Sequence, residues 1–446
     1  MSRRFAALGL TLIVSATIWA QLPPTPLHLI HAGRILDVKS GAYLIDQGVL
    51  IENERIKAVG PWAQIRRGAP QDIAVTDLSQ ATVLPGLIDC HAHILDAMDV
   101  GKRPGDNIVL TVTGVAPSKR ALLGAAMARE DLEAGFTTIR NVGHSGIEGD
   151  VSLRDAINEG LVPGPRILAS ARKLTPPGGQ ALQLQPVGSD AIIAQEFLPV
   201  NGPEEARKAV RENAYVGADF IKVVADSGRL VLSVEEMKAI VDEAHSMKMK
   251  VAVHATGRQG IRNAVEAGVD SIEHGDEVDD DTLKLMHDKG IYLDATDLGT
   301  GGRILERYAA RVVLTPGQKQ ALANGFQIPY DQQSKDRLER AIKAGVKVVA
   351  GSDMWFTWPG KTRGQATLVE LEALQDEGMS PADVLRASTV TAAEALGWQD
   401  HVGSVEPGRF ADLIALDGDP LRDVKELQKV QWVMKGGRVV RNDLKK

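Results

Sequence analysis

Between residues 83 and 353 the chain alternates short apolar runs with amphipathic stretches, and this alternation sets the fold. The runs are 83–90, 138–142, 166–170, 220–224, 251–254, 271–274, 291–294 and 347–353. Each is too short for a helix and reads as a strand, buried where it is continuously apolar. Helical patterns fill the gaps at 119–134, 203–216, 234–247, 259–267, 280–289 and 333–344. Several end in glycine, at Gly135, Gly268 and Gly345, where a left-handed cap is wanted. Eight β-α units of this length predict a closed parallel (β/α)8 barrel, with an open doubly wound sheet as the alternative.

The flanks have a different texture. Residues 27–30, 48–51 and 56–59 read as short strands separated by turn residues, and 412–416 and 430–440 read the same way. The two ends predict one small β-sandwich domain built from separated segments, 21–82 and 401–446, around a barrel at 83–400. There is no solenoid-type repeat and no low-complexity segment.

Ahead of these lies a stretch with the marks of a secretory signal, residues 1–20. Arg3 and Arg4 form a basic start, 5–19 is apolar, and Ala20-Gln21 is a cleavage point. The apolar run is short for a membrane span. It predicts an exported protein, periplasmic or extracellular, with no stable membrane insertion once the signal is removed. Basic residues number 51 and acidic ones 58, a net charge of −7 with no basic block, which argues against nucleic acid as a partner. Cys90 is the only cysteine, so no intrachain disulfide forms.

Polar residues recur where the strands end. His91 and His93 follow the first strand at spacing two, so both rings point to one side and can grip one metal ion. Lys222 sits in the fourth strand, His254 ends the fifth, His274 the sixth and Asp353 the eighth. Barrel strands converge at their C-terminal ends on one mouth, so these six groups would meet. A lysine inside Phe-Ile-Lys-Val-Val is costly to bury as a free cation. Reaction with carbon dioxide would turn it into a carbamate, an anion able to bridge two metals. A capped histidine, a snorkelling lysine or a capping aspartate explains one such residue, not six at successive strand ends. Cys90 reads as a buried, inert thiol, and Asp89 as structural.

This pattern resembles the binuclear subtype of the amidohydrolase superfamily. The flanking text carries the resemblance further: Leu84-Pro85-Gly86-Leu87-Ile88-Asp89, Ser271-Ile272-Glu273-His274-Gly275, Ala350-Gly351-Ser352-Asp353 and 403–413. Within the superfamily it looks closest to imidazolonepropionase-related hydrolases, which include Xaa-Pro dipeptidases and ochratoxin-degrading amidases. The resemblance implies that His91, His93 and Asp353 hold one divalent metal, that His254 and His274 hold a second, and that carboxylated Lys222 bridges them. It implies a shared hydroxide that attacks a carbonyl, with Asp353 passing the proton to the leaving nitrogen. Imidazole and carboxylate ligands suit Zn²⁺ best, with Mn²⁺, Co²⁺ or Ni²⁺ as substitutes.

The substrate end departs from the pattern. Peptidase-like members read Thr-Gly-Gly-His after the third strand and His-Ala-Tyr after the fifth, and that His and Tyr hold a substrate carboxylate. Here Pro177-Gly178-Gly179-Gln180 and His254-Ala255-Thr256 stand in their place. Arg172, Lys173 and Arg229 lie past the third and fourth strands and are alternative anion sites. Trp355, Phe356 and Trp358 follow Asp353 and predict an aromatic wall at the mouth. The implied activity is hydrolysis of a C–N amide bond in an N-acyl amino acid, dipeptide or aryl amide. A cyclic amide or an ester is the alternative substrate. A catalytically silent scaffold is the alternative from another class, and loss of ligand residues would mark it. The sequence leaves association into a homo-oligomer open.

Overall fold

The computed structural model describes residues 27–96, 112–180, 185–297, 329–355, 357–358 and 360–444. The signal-like segment 1–20 and Phe356 lie outside the described residues. Both ends of the chain enter one seven-stranded sheet, in the order Arg438–Asn442, Val430–Lys435, Leu413–Leu416, Ala74–Pro85, His28–Asp37, Ala42–Glu52, Arg55–Pro61. The sandwich is this single ladder curled on itself. Ile56 N donates to Arg409 O at 2.9 Å and Ala411 N to Glu54 O at 2.8 Å, tying the start of the edge strand Arg55–Pro61 to the segment that leads into Leu413–Leu416. Ile30, Val49, Val83, Leu413 and Trp432 fill the space between, all fully buried.

Ala74–Pro85 pairs in parallel with His28–Asp37 and antiparallel with Leu413–Leu416, where Leu413 faces Pro85. Val83, Leu84 and Pro85 therefore belong to the β domain. The chain crosses into the barrel at Gly86 rather than between residues 82 and 83. A side chain at Gly86 would place its Cβ 2.1 Å from Thr137 Oγ1, so only glycine permits this close crossing.

The barrel strands are parallel and buried on both faces, as helix-covered sheets require. Leu87–Ala92, Phe136–Asn141 and Arg166–Ala169 form one sheet. Lys173–Thr175, Ile221–Val224, Val251–Ala255, Ser271–His274, Tyr292–Asp294 and Val348–Val349 form the next, with Phe197–Pro199 at its edge. The third strand is shared between them: it breaks after Ala169 and resumes at Lys173, with Ala171 at φ +56° in the break. The eighth strand meets the first through Cys90 N donating to Ala350 O at 2.9 Å and Asp353 N donating to His91 O at 2.8 Å. Gly217, Gly268 and Gly290 end their helices in the left-handed conformation. The helix Gly149–Asn158, absent from the sequence expectations, connects the second and third strands. No helix among the described residues is long and apolar enough to cross a membrane.

Candidate active site

The barrel strands open on a cavity of about 320 Å³ lined by His91, His93, Lys222, His254, His274 and Asp353, the six strand-end groups picked out in the sequence. Three of the four histidines are held from behind. His91 Nδ1 lies 2.7 Å from Glu273 Oε2, His93 Nδ1 3.0 Å from Gly143 O, and His274 Nδ1 2.7 Å from Thr296 Oγ1. Thr296 donates its own hydroxyl proton to Ala295 O, so it accepts from His274. Each of these rings thus carries its proton on Nδ1 and leaves Nε2 bare. His254 packs edge-on to His274 with 4.5 Å between ring centroids. Burial pushes His91 and His274 well below the usual imidazole range, and His254 down to about 3. Neutral imidazole is the form that binds a metal.

Asp353 joins the bare nitrogens. Its Oδ1 lies 3.2 Å from His93 Nε2 and 3.5 Å from His91 Nε2. Two ligands held ~2.0–2.1 Å from one tetrahedral ion stand about 3.3 Å apart, so this spacing suits a shared cation. Ligand atoms of His91, His274 and Asp353 all lie within 4.8 Å of one another. Asp353 and His274 both take left-handed backbone, φ +45° and +73°. Such a conformation costs a non-glycine residue ~1–3 kcal/mol and persists where the surroundings impose it. Here it turns both side chains into the mouth.

Lys222 is the remaining member. It is 2% exposed, and its Nζ has no hydrogen-bond partner among the described residues. Burial pushes its ammonium down to about 8. A buried, unpaired amine beside four imidazoles is a polar group awaiting a partner. Orphaned Nζ, bare Nε2 atoms and a carboxylate together fit a divalent metal centre. A second cluster of His91, Glu273 and Asp294 also has metal-like spacing. The Arg140 guanidinium already fills it, 2.8 Å from Glu273 and 3.3 Å from Asp294, so no further cation is called for.

Sequence reasoning missed this support layer. Arg140 also donates to Cys90 O and Ser271 Oγ, making one buried network behind His91. His144, likewise missed, lines the cavity with its ring 4.6 Å from that of His93 and its Nδ1 3.2 Å from Asp96. Cys90 is fully buried with its thiol pushed far up by desolvation. Asp89 accepts from the backbone of His91 and Ser352 and from the Ser352 hydroxyl.

The expected substrate residues divide. Gln180, Thr256 and Trp355 line the cavity. Arg172 does not: it reaches Glu212 at 3.3 Å and Ala194 O at 3.3 Å. Arg229 is exposed beside Gly228, between the short strands Asp226–Ser227 and Leu230–Val231, and does not line the cavity. Trp358 is buried in the fold and does not line the cavity, so among the described residues the aromatic wall at the mouth rests on Trp355. Lys173 replaces the two arginines as the inward cation: the break at Ala171 puts Arg172 outside and Lys173 in the cavity.

The amidohydrolase family model matches residues 82–440, and a bacterial imidazolonepropionase-like composite domain matches 48–71. The chain is 31% identical over 441 residues to the ochratoxinase of Aspergillus niger, covering 92% of this chain and 86% of that one. It is 27% identical to the imidazolonepropionase of Symbiobacterium thermophilum, covering 88% and 91%. The crystal structure of a Xaa-Pro dipeptidase with bound methionine in the active site superposes with a TM-score of 0.77 at 31% identity, covering 93% of this chain and 100% of that one.

Proposed function

The chain belongs to the amidohydrolase family, and from that premise we propose that it is a metal-dependent hydrolase of C–N amide bonds in small molecules. The observation that carries the reading is the convergence of bare His91 and His93 Nε2 on Asp353 beside the orphaned Lys222 amine. His91, His93 and Asp353 would hold one divalent ion, and His254 and His274 a second. Lys222 would bridge them as a carbamate: its neutral amine bonds to the carbon of carbon dioxide and loses a proton. A lysine whose ammonium is held near 8 supplies that neutral amine at neutral pH. The imidazole–carboxylate donor set favours Zn²⁺.

Metal ions at this centre supply Lewis acidity toward water and toward the amide carbonyl. The chain does the rest. Glu273, Gly143 and Thr296 fix the histidine tautomers. The Asp353 carboxylate takes a proton from the attacking water and gives it to the leaving nitrogen, so that water and amide become acid and amine. Trp355 supports an aromatic group on one side of the amide. The start of the chain, Arg3 to Trp19, supports export with cleavage after Ala20; N-terminal sequencing of the full chain after expression would then begin at Gln21.

The test is a panel of N-acyl amino acids, dipeptides and aryl amides offered to protein of measured metal content. Turnover is expected with metal and is lost on chelation. A fully metal-loaded protein that cleaves none of them would overturn the reading.

A further inference from the structure

Lys173 has no place in the hydrolytic scheme, yet it is 2% exposed and lines the same cavity. Leu174 pairs with Val223 in parallel register, so Lys173 and Lys222 occupy the same level on neighbouring strands. Two lysines thus enter one cavity side by side, about one strand spacing of ~4.8 Å apart at the backbone. The stem of Lys173 lies against Gly143, where a Cβ would come within 2.7 Å of its Cγ. Its Nζ lies 5.0 Å from the Phe197 ring centroid and is bonded to Gln180 Oε1. The head group is therefore aimed, not free. Among the described residues no carboxylate lies within 4 Å of it, whereas Arg120, the neighbouring buried cation, has Glu196 at 2.6 Å.

A buried ammonium with only a neutral amide for a partner is half satisfied. Its partners among the described residues are the Gln180 amide oxygen and the Phe197 ring, so an incoming carboxylate would supply the counter-charge. We propose that Lys173, aimed by Gln180, binds a free carboxylate of the substrate, and that the substrate class is N-acyl amino acids, dipeptides included. The inference rests on the amide-hydrolase reading of the same cavity and narrows it. A lone ammonium is a compact point charge that one carboxylate can neutralise. The carboxylate belongs on the amine side of the bond. There it is separated from the scissile carbonyl by the amide nitrogen and one carbon, which matches a cation on the strand next to Lys222. Arg172 and Arg229 face elsewhere, so Lys173 is the arginine or lysine side chain left to neutralise it among the described residues lining the cavity.

The test compares N-acetylphenylalanine with N-acetylphenylalanine amide on metal-loaded wild type, Lys173→Met and Gln180→Ala. Wild type is expected to prefer the acid by at least tenfold in kcat/KM. Lys173→Met should raise KM for the acid about ten- to a hundred-fold, leave kcat within a few-fold, and leave the carboxamide unchanged. Gln180→Ala should give a smaller rise with the same selectivity, and it stands in for Lys173→Met should that variant fail to fold. Calorimetric binding of free phenylalanine separates this inference from the hydrolytic one. Binding that Lys173→Met abolishes supports the site even where neither compound is cleaved, and no binding to wild type overturns it. Unchanged KM for the acid in both variants overturns it as well. So does loss of metal in Lys173→Met, which would place Lys173 with the metal ligands.

Discussion

His91 Nδ1 and Glu273 Oε2 lie 2.7 Å apart, joining the first barrel strand to the sixth across a fully buried core. The glutamate accepts at the same time from Arg140 and from Ser271 Oγ. Arg140 pulls the Glu273 carboxyl below the usual range despite its burial, so it stays an anion and holds the His91 proton on Nδ1. Glu273→Gln keeps the shape but removes the charge and one acceptor. The loss of such support costs ~10–100-fold in metal affinity, and it leaves Arg140 with only Asp294 for a counter-ion. We expect weaker metal retention against a chelator, together with a lower Tm. Wild-type retention would show that His91 needs no carboxylate behind it.

The Lys222 amine gives a prediction in pH. Its folded-state value near 8 lies below the ordinary lysine value of 10.5, so the neutral form becomes the majority above about pH 8. Carbamate formation uses the neutral amine. At fixed dissolved carbon dioxide, the rate at which metal-free protein is activated by Zn²⁺ should rise about tenfold per pH unit below 8 and level off above it. A rise continuing past pH 10 would mean an unperturbed amine. Lys222→Ala should not activate at all, except partially when short carboxylic acids are added to fill the gap.

The barrel was legible because strand ends and polar residues coincide in the sequence. Alternation along 83–93 places His91 and His93 together, and the structure does the same. Strand alternation stops specifying which way a side chain faces wherever the backbone leaves the extended region. His274 at φ +73° breaks the alternation after Glu273, so both neighbours serve the site where a regular strand would turn one of them away. Ala171 at φ +56° reverses the facing of the third strand, which is why Arg172 points to Glu212 and Lys173 to the cavity. Past Asp353 there is no strand period left to choose between Trp355 and Trp358. Arg140, set in the strand stretch Thr138–Val142, gave no sign of its role because its partners come from strands distant in the chain.

Gly351 couples the eighth strand to the site. A Cβ there would sit 2.3 Å from Asp294 Oδ1 and 2.5 Å from His91 Cβ. Both neighbours are fixed by the Arg140–Glu273 network and cannot move aside cheaply. Gly351→Ala should cost ~1–3 kcal/mol of stability, seen as a lower midpoint in urea, and should shift His91 enough to weaken metal binding. A variant with the wild-type midpoint and full metal content would show that the network yields more readily than its hydrogen bonds suggest.

Asp353 is asked both to hold a metal and to move a proton, and one substitution separates the two. Asn tolerates left-handed backbone nearly as well as Asp, so Asp353→Asn should keep φ near +45° and the bond from its N–H to His91 O. The amide oxygen keeps some affinity for a metal, but it cannot take up a proton at working pH. General acid–base help is worth ~10²–10⁴-fold. We therefore expect kcat to fall by at least ~10²-fold with Tm close to wild type, and the deficit should persist when excess Zn²⁺ saturates the site. If saturating metal restores the rate, Asp353 acts as a ligand alone and the proton is moved by another group at the mouth. His144 is then the first to examine, since its ring lines the cavity beside His93 and is backed by Asp96.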